Sequence, residues 1–565
     1  MNDSIKLIIN PLKRQIGLTA KSNLLEVFLA EGVKIPVLCN KNGSCGKCRV
    51  VVKAEASPVA EIEMLSLGET LISEGYRLAC RTEILGSGEV FIPVESREDI
   101  LESTYFGNEL TAIRNKDFPY PVRHGIRGGK GLVGEMKSPP RLAAVDMGTT
   151  TLTGYLFDHN GDILSNCSCF NPTTLYGCDI ITRITNLKNG SDFQKLRNSL
   201  LSEIKRLLNT LCFRAKDINA DNGKPAVPDS ICKIAVCGNT IMQHIFMGIN
   251  PVEIGLFPYR PIVKDLLHMK AVELKDFHII GLSADAEVVI APSVSGFIGG
   301  DAVCGVLATR LHKSSEPCLL IDLGTNGEMV LNYRGNIFAA SASAGPAFEG
   351  YQIGSGMRAT IGAIDFVRID DESNIHYSVI GGVRPKGICG TGAISAVSSM
   401  IKRGILNERG HIIPPIATGR MRKGSIVIAT ENETSIGRPI IFTDKDIEVI
   451  QQAKAAFASG IACLLRAAGL EAGQLKKILI AGAFGSSVDV ESLKTIGLIP
   501  YKTSADIISV GNAAGAGIAM TLLCEDAERE AMEVSGAIKT VEFAFMKEFE
   551  DEFLEALFFR TNAIR

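Results

Sequence analysis

Two stretches 176 positions apart carry the same pattern. RLAAVDMGTTTLTGYLFDHNGDIL (141–164) and PCLLIDLGTNGEMVLNYRGNIF (317–338) each read as an apolar strand, a D-x-G-T turn, a second strand, a glycine-bearing turn and a third strand. Superposing Asp146 on Asp322 aligns the first turns and puts Gly161 and Gly335 in the corresponding second turns. A repeat of this length is too long for a solenoid and right for two duplicated α/β halves. Downstream, the helical spacing of DKDIEVIQQAKAAFASGIACLLRAAG (444–469) is followed by the strand-turn KKILIAGAFGSSVD (476–489) and by GNAAGAGIAMTLL (511–523). Strands alternating with helices predict mostly parallel sheets covered by helices.

A D-x-G-T turn at a strand end has a mechanical use. Its backbone amides face a phosphate, the glycine lets the chain approach closely, and threonine hydroxyls add donors. The aspartates do not touch phosphate, because like charges repel; they hold Mg²⁺ through water or orient an attacking water. One such turn says little. Two with matched flanks, followed by ILIAGAFGSS (478–487), form a specific set that resembles the actin, sugar-kinase and heat-shock-chaperone (ASKHA) superfamily of ATPases. The resemblance implies a first phosphate turn at Asp146, Gly148, Thr149 and Thr150, and a second at Asp322, Gly324, Thr325, Asn326 and Gly327. It implies an adenosine turn at Gly482, Ala483, Phe484 and Gly485, and a last connecting helix opened by Gly511 and Asn512. Gly390, Thr391 and Gly392 in GICGTGAISAV resemble a further phosphate-side or hinge turn. Glu328 is a candidate for orienting water, with an ordinary strand residue as the alternative.

The N-terminal region has a different chemistry. Of the 15 cysteines, Cys39, Cys45, Cys48 and Cys80 fall within the first 80 residues, and a local thiol cluster in a reducing compartment points to a metal or redox centre. The spacing is C-x5-C-x2-C, then a lone fourth cysteine. Zinc ribbons present two facing C-x2-C pairs, whereas three ligands from one loop plus one distant ligand suit a [2Fe–2S] cluster. The loop is one residue longer than the plant-type C-x4-C-x2-C and resembles the adrenodoxin-like branch of the β-grasp ferredoxins. Gly43 and Gly46 permit the φ > 0 turns that aim amides at sulfide. A zinc site and four unrelated thiols are the alternatives. Lys41, Lys47, Arg49, Arg77 and Arg81 flank the ligands, either to steer an acidic partner or as a solvated rim balanced by Glu74 and Glu83. Cys167, Cys169 and Cys178 are a weaker candidate, without a fourth ligand at a usual spacing.

These textures divide the 565 residues into a ferredoxin-like unit (1–94), a Gly/Pro/charge-rich linker (95–140), a first actin-like lobe (141–310) and a second (311–565). The fold class expected is α+β and α/β multidomain: a β-grasp domain, then a two-lobed ATPase with duplicated βββαβα halves. A formal charge of −3 gives no field for nucleic acid. No apolar run reaches the ~18–20 residues that span a bilayer, and the N-terminus lacks a signal-peptide pattern, so a cytoplasmic protein is expected.

A β-grasp ferredoxin fused to an actin-like ATPase resembles the reductive activators of corrinoid proteins. FNPTTLYGCDIITRI (170–184), VCGNTIMQHIFMGINPVEIGLFPY (236–259), APSVSGFIGGDAV (291–303), SAGPAFEGYQIGSGMRATIGAID (343–365) and SVGNAAGAGIAM (509–520) carry that resemblance along the chain. It implies a [2Fe–2S] cluster, ATP and Mg²⁺ as cofactors, and transfer of one electron to an inactive Co(II) corrinoid protein of a methyltransferase system. A homodimer formed outside the ferredoxin domain is also implied. No flavin or nicotinamide fingerprint is present, so the electron comes from an external low-potential donor. The competing classes are an activator of a radical dehydratase or reductase, a sugar kinase with a redox sensor, and a chaperone-like docking ATPase. The glycine-rich stretch from Gly345 to Met357 either meets the partner or lines the ATP cleft.

Overall fold

The computed structural model describes residues 5–18, 21–33, 35, 37, 41–43, 46–93, 140–215, 228–413, 420–422, 424–482, 488–524, 526–543 and 546–559. Cys39, Cys45, Ala483, Phe484 and Gly485 lie outside them, as does the predicted linker apart from its last residue.

The N-terminal unit is built on one mixed sheet. Its strands run in the order Arg14–Leu18, Ile5–Asn10, Glu83–Phe91, Arg49–Ala56, Tyr76–Leu78, with Ser22–Asn23 pairing to Glu83–Phe91. Ile5–Asn10 is parallel to Glu83–Phe91 and antiparallel to its own hairpin partner. The helix Leu24–Ala30 starts at Asn23, whose side chain accepts from the amides of Leu25 and Glu26 and so satisfies two orphan donors. It buries Leu24, Leu25, Val27 and Phe28 against the sheet, while Leu29 is exposed.

Arg77 is neither a steering charge nor a solvated one. It is 8% exposed and forms a two-point pair with Glu63, at 3.0 and 2.9 Å, which also accepts from the Leu78 amide. Removing a full ion pair from water is tolerated only with such complete pairing. Despite burial, the Arg77 hydrogen bonds hold the Glu63 carboxyl below its ordinary range. The pair clamps the strand that leads into Cys80.

The two lobes repeat one topology. In the first, Arg141–Met147, Thr151–Phe157 and Ile163–Phe170 form an antiparallel meander, and Ile231–Gly238 then Glu287–Ile290 add in parallel on the other side of the first strand. In the second, Cys318–Leu323, Asn326–Tyr333 and Asn336–Ser343 form the meander, and Lys477–Ala481 then Asp506–Gly511 add in parallel. Gly161 and Gly335 both take left-handed φ, 85° and 75°, in the expected second turns. The edge strands differ: Leu267–Lys270 flanks the first sheet, and Ile538–Thr540 the second.

Period-two alternation sends each sheet's faces to different partners. Ala143, Val145 and Met147 pack beneath the helix Phe193–Arg214, while Leu142 and Ala144 face the helix Ala513–Leu523. Likewise Leu319, Ile321 and Leu323 lie beneath the helices Gly390–Lys402 and Asp444–Ala468, whereas Cys318 and Leu320 face the helix Gly300–Thr309. The helices Gly300–Thr309 and Ala513–Leu523 therefore cross between the lobes. They approach so closely that a Cβ on Gly517 would sit 2.0 Å from the Cys304 carbonyl oxygen. Cys167 and Cys169 are core thiols under the first sheet, and burial pushes both thiols up. No helix among the described residues is long and apolar enough to cross a membrane.

Candidate functional site

The two D-x-G-T turns meet across the cleft between the lobes. Thr150 Oγ1 lies 2.6 Å from Thr325 Oγ1, and Asn326 Nδ2 donates to Thr149 Oγ1 at 3.1 Å. Asp146 stands opposite Thr153 at the end of its strand, Asp322 opposite Glu328. Antiparallel partners share a face, so Asp322 and Glu328 are neighbours. Asn512 caps the helix Ala513–Leu523 by accepting from the Gly515 amide, and its Nδ2 donates to Asp146 Oδ2 at 2.9 Å. Gly482 (φ 99°) has no room for a side chain, since a Cβ there would come 2.8 Å from Asp322 Oδ1.

The first turn is shored up by residues to which sequence reasoning gave no role. Asn171 Nδ2 donates to the Gly148 carbonyl at 2.7 Å, Arg183 donates to that of Thr149, and Asn239 Nδ2 donates to Thr149 Oγ1 at 3.0 Å. All three are buried, and they account for FNPTT, ITRI and CGNT as supports of one turn. Two carboxylates were likewise missed. Asp301 sits in the first turn of the helix Gly300–Thr309, and Glu349 Oε1 accepts from Thr325 Oγ1 at 2.6 Å. Their neighbouring glycines were a visible signal, but a lone acid in a glycine-rich loop has no spacing that announces a site. Gly390, Thr391 and Gly392 open a helix whose contacts run to the strand Ala363–Ile369, where a Cβ on Gly392 would meet the Ile364 carbonyl at 2.3 Å. Gly327 leaves room for the Phe457 ring, with 2.3 Å from an added Cβ to that ring.

Five acidic side chains thus surround the junction of the turns. Burial lifts Asp146 to about 6, against the Asn512 hydrogen bond. Burial and then the Asp146 carboxylate lift Asp301 to about 7. Burial followed by Asp146, Asp301 and Glu349 lifts Asp322 to about 8. Glu328 is pushed well above the carboxylate range by burial, Asp301 and Asp322, and Glu349 is raised by burial. Buried like charges call for a cation. Among the described residues no three acidic, histidine or cysteine side chains converge into an all-protein cage. The acidic lining fits Mg²⁺, a hard cation that takes oxygen ligands and phosphate oxygens. The hydroxyls and amides of the two turns fit the phosphates.

The raised values set a pH dependence. A carboxyl whose folded pKa exceeds its unfolded value stabilises the fold below about pH 4 and loses that contribution as pH rises through its folded pKa. For Asp146, Asp301 and Asp322 the losses begin at about pH 4 and are complete near 6, 7 and 8. The ligand-free protein is expected to melt progressively lower between about pH 4 and 8, and Mg²⁺ with ATP to remove most of that slope. A melting point that climbs over this range without ligand would contradict the cluster's electrostatics.

At the other end of the chain, Cys48 and Cys80 lie at one end of the antiparallel pair Arg49–Ala56 and Tyr76–Leu78. Arg49 faces Leu78, and the Ala79 amide donates to the Cys48 carbonyl at 2.8 Å. Cys80 follows in the single turn Ala79–Arg81, its carbonyl held by Asn23 Nδ2 at 3.1 Å. Lys41, Gly43 and Gly46 all take positive φ, as a loop with inward-facing amides requires. Two cysteines brought to one strand end and a tightly turned loop fit an iron–sulfur cluster; Cys39 and Cys45, its other expected ligands, lie outside the described residues. The basic flank splits: Lys41 pairs with Glu26, Glu74 with Arg438 of the second lobe, and Lys47 donates to two second-lobe carbonyls.

A family model described as the C-terminal domain of RACo, the ASKHA domain, matches residues 316–565. The RACo middle region matches 142–314, and the 2Fe-2S iron–sulfur cluster binding domain matches 7–85. The chain is 28% identical over 578 aligned residues to the corrinoid activation enzyme RamQ of Eubacterium limosum, covering 92% of this chain and 93% of that one. It is 28% identical over 309 residues to the Co(II) methylated amine-specific corrinoid protein reductase of Methanosarcina barkeri, covering 50% and 53% respectively. Among solved structures, a reductive activator for corrinoid, iron–sulfur protein superposes with a TM-score of 0.68 at 29% identity, over 98% of both chains.

Proposed function

Because the chain belongs to the RACo family, matching its middle region from residue 142 and its ASKHA domain to residue 565, we propose that it is an ATP-dependent reductive activator of a corrinoid protein. The substrate is the inactive Co(II) form, and the product is the Co(I) form that accepts a methyl group. The observation that carries this reading is the union, on one chain, of a cluster-type cysteine turn with a carboxylate-lined nucleotide cleft between two lobes. The cluster, when bound, supplies one electron at a time.

The protein's own residues do the rest. Thr149, Thr150, Thr325 and Asn326 line the place where phosphate oxygens enter. Asp146, Asp301 and Asp322 would hold Mg²⁺, and Glu328, opposite Asp322, would orient the attacking water. Plant-type clusters have potentials near about −400 mV, and a shortfall of about 100 mV costs a one-electron transfer about 2.3 kcal/mol, roughly fifty-fold in equilibrium. A ligand offsets such a gap only through different affinities for two conformations. The cleft between two lobes joined by the crossing helices Gly300–Thr309 and Ala513–Leu523 is the two-state element that ATP biases.

An external low-potential protein feeds the cluster in this scheme, supported by the missing dinucleotide fingerprint. The buried thiols of the described core suit a reducing cytoplasm, and a homodimer contact lies outside the cysteine-bearing domain. Anaerobic cobalt reduction by the pre-reduced protein, with and without Mg²⁺ and ATP, tests the reading. ATP is expected to raise the extent of reduction by about tenfold or more. Equal reduction without nucleotide would remove the coupling.

A further inference from the structure

The stretch from Glu349 to Arg358 touches three places at once. At its start, Glu349 Oε1 accepts from Thr325 Oγ1 of the second phosphate turn, and Thr325 in turn meets Thr150 of the first. At its end, Arg358 Nη2 donates to Thr151 Oγ1, next to the first turn, at 3.0 Å, with its guanidinium 5.5 Å from the Phe170 ring centre. Between them, the carbonyls of Ile353 and Gly356 accept from Lys47 Nζ at 2.7 and 3.0 Å. Lys47 is the residue before Cys48 in the cysteine loop. The nucleotide cleft and the cluster loop are therefore joined by one short piece of backbone.

That piece is built to move as a unit. A Cβ on Gly350 would lie 2.0 Å from the Met357 carbonyl oxygen, and one on Gly356 would lie 2.2 Å from that of Gly350. The stretch is folded back on itself with no slack, and Gln352 takes a left-handed φ of 66° to close it. The Gly354 amide is pinned to Asp446 Oδ1 at 2.6 Å, and the Met357 amide to the Ile388 carbonyl at 2.9 Å. A displacement at Glu349 is carried to residues 353–356 instead of being absorbed between them. Thr150 and Thr325 close on each other where the two turns meet, and Thr325 is the group that Glu349 holds.

We infer that residues 349–358 relay occupancy of the nucleotide cleft to the cluster loop, and that Lys47 is the positioning residue that receives it. The inference rests on the nucleotide reading of the cleft and adds where and through what the cluster domain senses it. A second contact docks the same domain through side chains outside the stretch: Arg438 pairs with Glu74 at 2.7 Å and stacks over the Tyr76 ring at 4.3 Å. Docking and relay are thus separable by mutation.

Amide hydrogen exchange on the full-length, cluster-loaded protein, held anaerobic, with and without Mg²⁺ and a non-hydrolysable ATP analogue, reads the relay without using cobalt. In the wild type, nucleotide is expected to change exchange by about fivefold or more in both 349–357 and 46–50, the low end of ordinary allosteric coupling. In Lys47→Met the change persists at 349–357 and is mostly lost at 46–50, where Arg49 Nη2 still lies 3.5 Å from the Gly354 carbonyl. In Arg438→Gln it persists at both. Cluster absorbance confirms that each variant is loaded. A wild type that responds at 349–357 but not at 46–50 overturns the relay while leaving the function standing. Retention of the 46–50 response in Lys47→Met, or its loss in Arg438→Gln as well, overturns the assignment to Lys47. No response anywhere in the wild type removes the nucleotide reading and the relay together.

Discussion

Cys80→Ser is expected to strip the visible absorption of the iron–sulfur centre and to lower cobalt reduction by at least about a thousandfold, with Mg·ATP binding unchanged. Clusters of this kind are held by thiolates, and a serine oxygen is a harder, less suited donor. The position leaves little room for repair. Cys80 sits in a buried turn whose carbonyl is tied to Asn23, and the neighbouring Ala79 amide is tied to Cys48. No other cysteine of the described residues belongs to that cluster of buried side chains except Cys48. The nucleotide turns lie in the two lobes, on separate sheets, so ATP binding by calorimetry serves as the control. The same variant separates two classes of function. A docking ATPase that shields a corrinoid protein without passing electrons predicts full activity in Cys80→Ser, whereas the reductase predicts its loss.

The duplicated halves were legible because their signal is local. A strand, a turn and a strand occupy some twenty residues, and the Asp–x–Gly–Thr turn repeats with its flanks. What was not legible shares one cause. Glu349, Asp301 and Asn239 reach the cleft only through tertiary folding, each from a different loop or helix start, and none stands at a diagnostic spacing. Charge misled for the same reason. Arg77 and Lys47 look alike beside the cysteines, yet Arg77 is buried against Glu63 from an adjacent helix, and Lys47 reaches carbonyls more than three hundred residues away. The stretch Gly345–Met357 was open between lining the cleft and meeting another surface. Its Glu349 is bonded to Thr325 at the cleft, and its Ile353 carbonyl to Lys47 of the cysteine loop of the same chain, a contact within the molecule that the sequence reading had not considered.

Asp322→Asn is expected to lower ATP turnover by at least about a hundredfold, as loss of a group acting on the metal and water does, while making the ligand-free protein more stable. The two effects have opposite signs for one reason. Asp322 is lifted to about 8 by burial and by the carboxylates of Asp146, Asp301 and Glu349. At pH 7 the ligand-free fold must keep a proton on it that the unfolded chain gives up, a penalty of at most about 4 kcal/mol. Asparagine has the same shape and no charge, so it removes the penalty. Its buried amide recovers only part of the hydrogen bonding, which leaves a net gain of about 1–2 kcal/mol. Mg·ATP reverses the balance: the ion compensates the wild-type carboxylate, and the variant, lacking the charge, gains less from ligand. Melting curves with and without Mg·ATP, alongside phosphate release, measure both effects at once. An ordinary packing defect would lower stability and turnover together. A strand residue without a role would lower neither. Only a carboxylate held at energetic cost for use with a metal-bound nucleotide raises one and lowers the other.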